Sequence, residues 1–277
     1  MKIDTHQHFW RYNERDYGWM GPGMEALKRD YLPAELAKLL SKTGIDGTVA
    51  VQARQCPEES DFLLGLADEY PFIKAVVGWV DLCSERVDDQ LERFCRRPRF
   101  RGVRHVIHDE PDDRFMMRED FRRGIGKLKN YGLVYELLLF ARHLALAAEF
   151  VAQFPEQMFV LDHIGKPAIR DGRLRPWAND IRKLARFDNV ACKISGMVTE
   201  ADWESWKPKQ LVPYMETVLE AFGHERVMIG SDWPVCTVAA TYEEVMETAY
   251  DFVGRLSASE QEAIWAGNAQ RIYAIET

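Results

Sequence analysis

The sequence predicts an α/β fold: a single-domain (β/α)8 TIM barrel spanning residues 1–277. Three observations carry this. Eight short apolar or β-branched runs alternate with longer helical patterns, which implies parallel strands joined by right-handed crossovers. The C-terminal ends of those runs recur at intervals of roughly 30 residues, the size of a strand–helix–strand unit. No glycine-rich phosphate loop follows the first run, where His6-Gln-His-Phe-Trp10 stands instead. That disfavours an open doubly wound sheet, the structural alternative.

Taken in order, the strands are expected at Lys2–His6, Gly47–Gln52, Ala75–Val80, Gly102–Ile107, Leu133–Leu139, Met158–His163, Val190–Ile194 and Val227–Gly230. The helices between them announce their ends. Pro33–Thr43 has proline suited to a first turn and Gly44 beyond its last. Glu58–Tyr70 stops before Pro71, Ser84–Arg97 before Pro98, Arg118–Tyr131 at Gly132 and Ala141–Phe154 before Pro155. Asn179–Phe187, Gln210–Phe222 and Tyr242–Arg255 follow, and a last helix opens with Ser257 and Glu260 spaced as a capping box. The long first loop, Phe9–Asp30, leaves the C-terminal end of a strand and is expected to cover the barrel mouth.

Composition narrows the class. The chain is 47% hydrophobic and 29% charged, ordinary for a globular protein, and its net charge of −8 argues against nucleic-acid binding. Five cysteines, an odd number with no C-x-x-C pair, indicate neither a disulfide framework nor a zinc finger. Reduced thiols, no apolar leader and no long apolar span leave a cytoplasmic protein without membrane contact as the expectation.

In such a barrel the chemistry sits at the C-terminal strand ends. Strand alternation puts His6 and His8 on one side, a pair suited to hold a metal or polarise a carbonyl. Gln52 ends the second strand with Arg54 just beyond, and Trp79 and Asp81 end the third. Arg104 and His105 lie on the fourth with His108 beyond, and alternation lets only one of Arg104 and His105 face the mouth. Glu136 lies on the fifth, Asp162-His163 end the sixth, Lys193 and Ser195 the seventh, and Ser231-Asp232-Trp233 the eighth. Five of the seven histidines fall at or just after these ends, which favours a site over scatter. Bland readings stand beside each: Asp232 as a helix N-cap, His163 as a backbone-bonded core residue, Trp10 and Trp79 as packing, Lys193 as a partner for Glu136 inside the barrel.

Asp4-Thr-His-Gln-His-Phe-Trp10, Gly102-Val-Arg-His105, Leu161-Asp-His-Ile-Gly-Lys-Pro167, Lys193-Ile-Ser-Gly196, Gly230-Ser-Asp-Trp-Pro234 and Gly267-Asn-Ala-x-Arg271 together resemble the metal-independent lactonase branch of the amidohydrolase superfamily. That branch includes the L-fuconolactone and L-rhamnonolactone hydrolases and the pyrone-dicarboxylate lactonase. The resemblance implies a distorted barrel and hydrolysis of a sugar lactone to its aldonate. It assigns Asp232 as the base that activates water, and His6, His8 and His163 as donors to the lactone carbonyl. No lysine ends the fourth strand and no histidine lies in the fifth, so a two-metal centre looks incomplete. Either no metal is required, or His6, His8, His163 and Asp232 hold one divalent ion such as zinc. Gln52, Arg54, Trp79, Arg104, His105 and Trp233 are expected at the substrate, with Trp233 excluding water from Asp232. The expected partner is a small sugar lactone, and the expected assembly a monomer or homodimer. The competing reading is a metal-dependent amidohydrolase or non-oxidative decarboxylase using the same residues as zinc ligands.

Overall fold

A computed structural model describes residues 1–276. Eight parallel strands form one sheet in sequential order: β1 (Ile3–Gln7), β2 (Gly47–Val51), β3 (Ile73–Gly78), β4 (Phe100–Val106), β5 (Val134–Leu138), β6 (Phe159–Leu161), β7 (Val190–Ile194) and β8 (Val227–Ile229). Every expected strand is present, with ends shifted by at most two residues and the seventh at its expected bounds. The helices α1 (Pro33–Thr43), α2 (Pro57–Glu69), α3 (Val87–Cys95), α4 (Glu119–Leu128), α5 (Leu144–Val151), α6 (Trp177–Leu184), α7 (Pro208–Phe222) and α8 (Tyr242–Val253) pack outside. No helix of the described residues is long and apolar enough to cross a membrane.

The sequence dictates these elements locally. Helix α1 carries proline in its first turn and ends on Gly44 at φ 68, a left-handed position that glycine adopts without strain. Helix α8 opens with Thr241 and Glu244 in a reciprocal capping box. The strands are buried on both faces, as the near-continuous apolar runs require.

Two apolar layers result. One lies between sheet and helices. The other fills the barrel, with Ile3, Val49, Val51, Ala75, Val77, Val134, Val160, Ala191 and Met228 pointing inward. Ala266 from the segment Ala263–Gly267, Ala269 and Ile272 from the short helix Asn268–Ile272, and Tyr273 just after it close the N-terminal end beneath them. One step up each strand from this plug, alternation places Arg104, Glu136 and Lys193 inside, with Asp162 just beyond β6. A register slip between Asp4 and Gln7 on β1 changes its facing side, so Ile3 and His6 both point inward.

The barrel closes differently from the rest of the sheet. β8 meets β1 through an isolated bridge between Gln7 and Trp233. Asp4 seals this seam: it accepts from the Ser231 amide (2.9 Å), the Ser231 hydroxyl (2.6 Å) and the Tyr242 hydroxyl (3.3 Å).

Candidate active site

At the C-terminal end of the strands a cavity of about 290 Å³ opens, walled in part by His8, Arg104, His163 and Asp232. His6 lies against this wall, fully buried. Three imidazoles converge on one carboxylate oxygen. Asp232 Oδ1 is 3.3 Å from His8 Nε2, 3.9 Å from His6 Nε2 and 4.0 Å from His163 Nε2.

The backbone is bent to make this possible. Asp232 sits at φ 59 and His163 at φ 51, both in the left-handed region that non-glycine residues seldom adopt. The Asp232 amide donates to the His6 carbonyl (2.8 Å), which ties the two halves of the site across the seam. The turn at His163 also ends β6 two residues earlier than the apolar run suggests. Gly196 must be glycine. It has φ +59, and a Cβ there would lie 2.4 Å from His163 Nδ1 and 3.0 Å from Asp232 Oδ2.

Hydrogen bonds fix the proton positions. His8 Nδ1 donates to the Val51 carbonyl at 2.8 Å. A carbonyl only accepts, so Nδ1 carries a proton, and in the neutral ring Nε2 turns its lone pair toward Asp232. The His6 ring meets cations on both sides: Arg104 Nη1 is 3.2 Å from Nε2, and Lys193 Nζ is 3.2 Å from Nδ1. Neither cation accepts, and a neutral ring carries one proton. Asp162 Oδ1, 3.3 Å from Nδ1, is the nearest acceptor, so the proton belongs on Nδ1 and Nε2 accepts from Arg104. His163 Nδ1 pairs with the Ser195 hydroxyl at 3.0 Å.

Burial pushes His6 and His163 well below the usual histidine range, so both rings are neutral. Beneath them lies a buried charge network. Lys193 Nζ donates to Glu136 Oε1 at 2.6 Å and lies 3.4 Å from Asp162 Oδ1. Arg104 Nη1 donates to Asp162 Oδ2 at 3.0 Å. Burial opposes the charge on Asp162, but Lys193, His6 and Arg104 outweigh it and hold its carboxyl well below the usual range. Burial and the charge of Asp162 raise Glu136 to about 7, against the pull of Lys193. Lys193 is therefore a strut of the barrel interior and not a substrate contact.

Five residues expected at the substrate do not line the cavity. Gln52 is buried behind it and accepts from Arg104 Nε at 2.8 Å. Arg54 pairs with Asp16 at 3.0 Å in a separate surface groove. It is turned there because Glu59 caps the Ala53 and Arg54 amides just past the end of β2. Arg104 takes the inward face, so His105 points to the helical layer, where it stacks on Phe115 and contacts Glu110 at 2.7 Å. Trp79 follows it outward and donates to His105 Nδ1 at 3.3 Å. Trp233 packs edge-on against Phe9 and Tyr31, one residue past the point where the chain turns.

The first loop does reach the mouth: Trp19 and Met24 line the cavity, while Trp10 is buried behind them. Of the other lining residues, His108 stands just beyond the fourth strand as the sequence indicates. Lys166 and Glu200 form an ion pair (2.6 Å) across the loops after β6 and β7, and Trp203 lies beside them. Lys166 lay within a segment already singled out, but Glu200 and Trp203 sit in a loop without periodicity.

The four-residue cluster also has the composition of a metal site. His6, His8 and Asp232 bring ligand atoms within 4.8 Å of one another, as do His6, Asp162 and His163. His8 and Asp232 fit an ion well, because each turns an unshared lone pair to the same point. His6 fits less well, because Arg104 engages its Nε2.

The amidohydrolase family model matches residues 3–275. An L-fucono-1,5-lactonase of Burkholderia multivorans is 42% identical, covering 99% of this chain and 96% of its own. An L-fucono-1,5-lactonase of Burkholderia ambifaria is 36% identical, over 87% of this chain and 83% of its own. The crystal structure of an amidohydrolase from Burkholderia multivorans with bound zinc superposes with a TM-score of 0.96 at 42% identity, covering 100% of both chains.

Proposed function

The chain belongs to the amidohydrolase family, and from that premise we propose that it is a sugar lactonase that opens an L-fucono-1,5-lactone or a closely related aldonolactone to the aldonate. One observation carries the mechanism: Asp232 Oδ1 and the His8 Nε2 lone pair face each other across 3.3 Å at the cavity wall. So placed, the two accept hydrogen bonds from one water; Asp232 takes a single proton from it as its oxygen attacks, and the other stays on that oxygen.

The attacked carbonyl needs donors where negative charge develops. His8 cannot serve, because its proton is committed to Val51. The role falls to His163, whose Nε2 carries the proton when Ser195 donates to Nδ1, and to Arg104 on the same wall. His6 acts behind them by fixing Arg104. When the intermediate collapses, the ring oxygen leaves with the proton that Asp232 took from water. Lactones are activated esters, so a positioned base and two donors are a sufficient set. A divalent ion such as zinc, held by His8, His163 and Asp232, would supply Lewis-acid polarisation of the same carbonyl.

Lys166, Glu200 and Trp203 offer donors, an acceptor and a flat apolar face to the sugar hydroxyls and ring. The five free cysteines suit a reducing compartment, the cytoplasm. There the chain would act as a monomer or homodimer, which light scattering on the purified protein distinguishes.

Acid release from L-fucono-1,5-lactone, followed by a pH indicator, tests the reading. Turnover of this lactone, with weaker turnover of epimers, is expected. No acid release across a panel of aldonolactones would overturn it. Loss of turnover on chelation, restored by zinc, would favour the metal-dependent reading that the bound zinc of the Burkholderia multivorans structure keeps in view.

A further inference from the structure

We propose that Arg104 is a resident cation that withholds His6 from metal ions and keeps the affinity of this site for divalent cations low. The argument rests on which lone pairs are free. A metal ligand must offer an unshared pair. His8 Nε2 does so, since its proton lies on Nδ1 against Val51. His6 Nε2 is the atom that His6 turns toward Asp232, and Arg104 Nη1 donates to it at 3.2 Å.

The guanidinium cannot swing away cheaply. Its Nε donates to Gln52 Oε1 (2.8 Å), its Nη2 to the Gln52 carbonyl and its Nη1 to Asp162 Oδ2 (3.0 Å) as well as to His6. The side chain is buried on all but one edge, at 3% exposure. A guanidinium stays charged throughout the accessible pH range. An ion at the cluster would thus lose His6 as a ligand and meet a fixed positive charge a few ångströms away, in a setting where water screens little. The ligand set left to it is His8, His163 and Asp232.

The same geometry gives Arg104 a second consequence. It supplies beside the carbonyl the positive charge that a metal would otherwise bring. On this reading a cluster with the composition of a zinc site can polarise the carbonyl through Arg104. The inference concerns ion affinity, so it stands or falls separately from the identity of the substrate.

Zinc affinity of the chelator-treated, dialysed full chain, measured by competition with a fluorescent zinc chelator, tests it without any substrate. Arg104→Met should bind zinc at least ten-fold more tightly than the unsubstituted chain. A merely structural role for Arg104 predicts the opposite, because a loosened cluster binds less well. Unchanged or weaker binding by a folded Arg104→Met would overturn the proposal. Two further variants keep the question open to refutation even if that protein fails to fold. His6→Asn should leave zinc affinity within about two-fold, since His6 is already withheld, whereas His8→Asn should weaken it at least ten-fold. An equal loss in both would place His6 among the ligands and refute the proposal.

Discussion

His8 Nε2 and Asp232 Oδ1 stand 3.3 Å apart. The His8 proton is held by Val51 on the opposite side of the ring. Asp232 takes its place there at φ 59, a backbone conformation that the surrounding structure has to hold. Such an arrangement is stable only because the rest of the barrel holds it, and it is well disposed toward whatever brings protons or positive charge between them.

Asp232→Asn removes the proposed base and keeps the shape. The expected result is a fall in kcat of roughly 10²–10⁴-fold, with a melting temperature close to that of the unsubstituted protein. Steady-state kinetics on a lactone and a thermal melt check both halves. Retention of full turnover would remove Asp232 from the mechanism.

Gly196→Ala tests the packing behind the site. The added Cβ would lie 2.4 Å from His163 Nδ1, on a backbone with φ +59. The His163 ring must move, and its hydrogen bond with Ser195 goes with it. A loss of kcat of at least about 100-fold is expected, since small misplacements of a positioned group cost that much. An alanine variant with unaltered kcat would show that the His163 position does not matter.

Lys193→Met leaves Glu136 and Asp162 buried without their ammonium partner. Removing one member of such a network costs about 3–5 kcal/mol. Urea denaturation should show that loss. Adding Glu136→Leu should recover part of it, because the orphaned carboxylate is then gone too. No recovery in the double variant would mean that shape, and not charge, dominates there.

Glu59 gives a pH-dependent signature. Burial raises its carboxyl from 4.5 to about 7 in the folded chain. The folded state therefore keeps a proton that the unfolded state releases between those values, and stability falls as pH rises through that window. Glu59→Gln lacks this titration. The stability of the parent relative to the variant should decrease by on the order of 1–3 kcal/mol between pH 4.5 and 7.5. Denaturation curves at several pH values check this, and a parent that gains on the variant with rising pH would contradict it.

The eight strands were legible because each is an apolar run long enough to be buried on both faces, separated by helices with clear stops. The site residues Asp232, His8 and His163 were legible because the barrel confines chemistry to strand ends. What failed was direction. Within β4, alternation correctly allows one of Arg104 and His105 to face inward, but nothing local says which. Beyond a strand end the alternation no longer applies, so Arg54 and Trp233 turn away under the control of Glu59 on the following helix and of Phe9 and Tyr31 on the first loop. Glu200 and Trp203 come to the cavity by loop geometry alone.

The seam between β1 and β8 sets a condition on when the chain becomes active. Asp4 and Ser231 are 227 positions apart, yet their contact is what brings Asp232 beside His6 and His8. During synthesis, every other strand can find its neighbour while the chain is still growing. The proposed catalytic group cannot be assembled until the last strand has emerged and returned to the first, and contacts of such long sequence separation form slowly. Turnover would thus report completion of the whole barrel, where spectroscopic probes of helix content report only its parts.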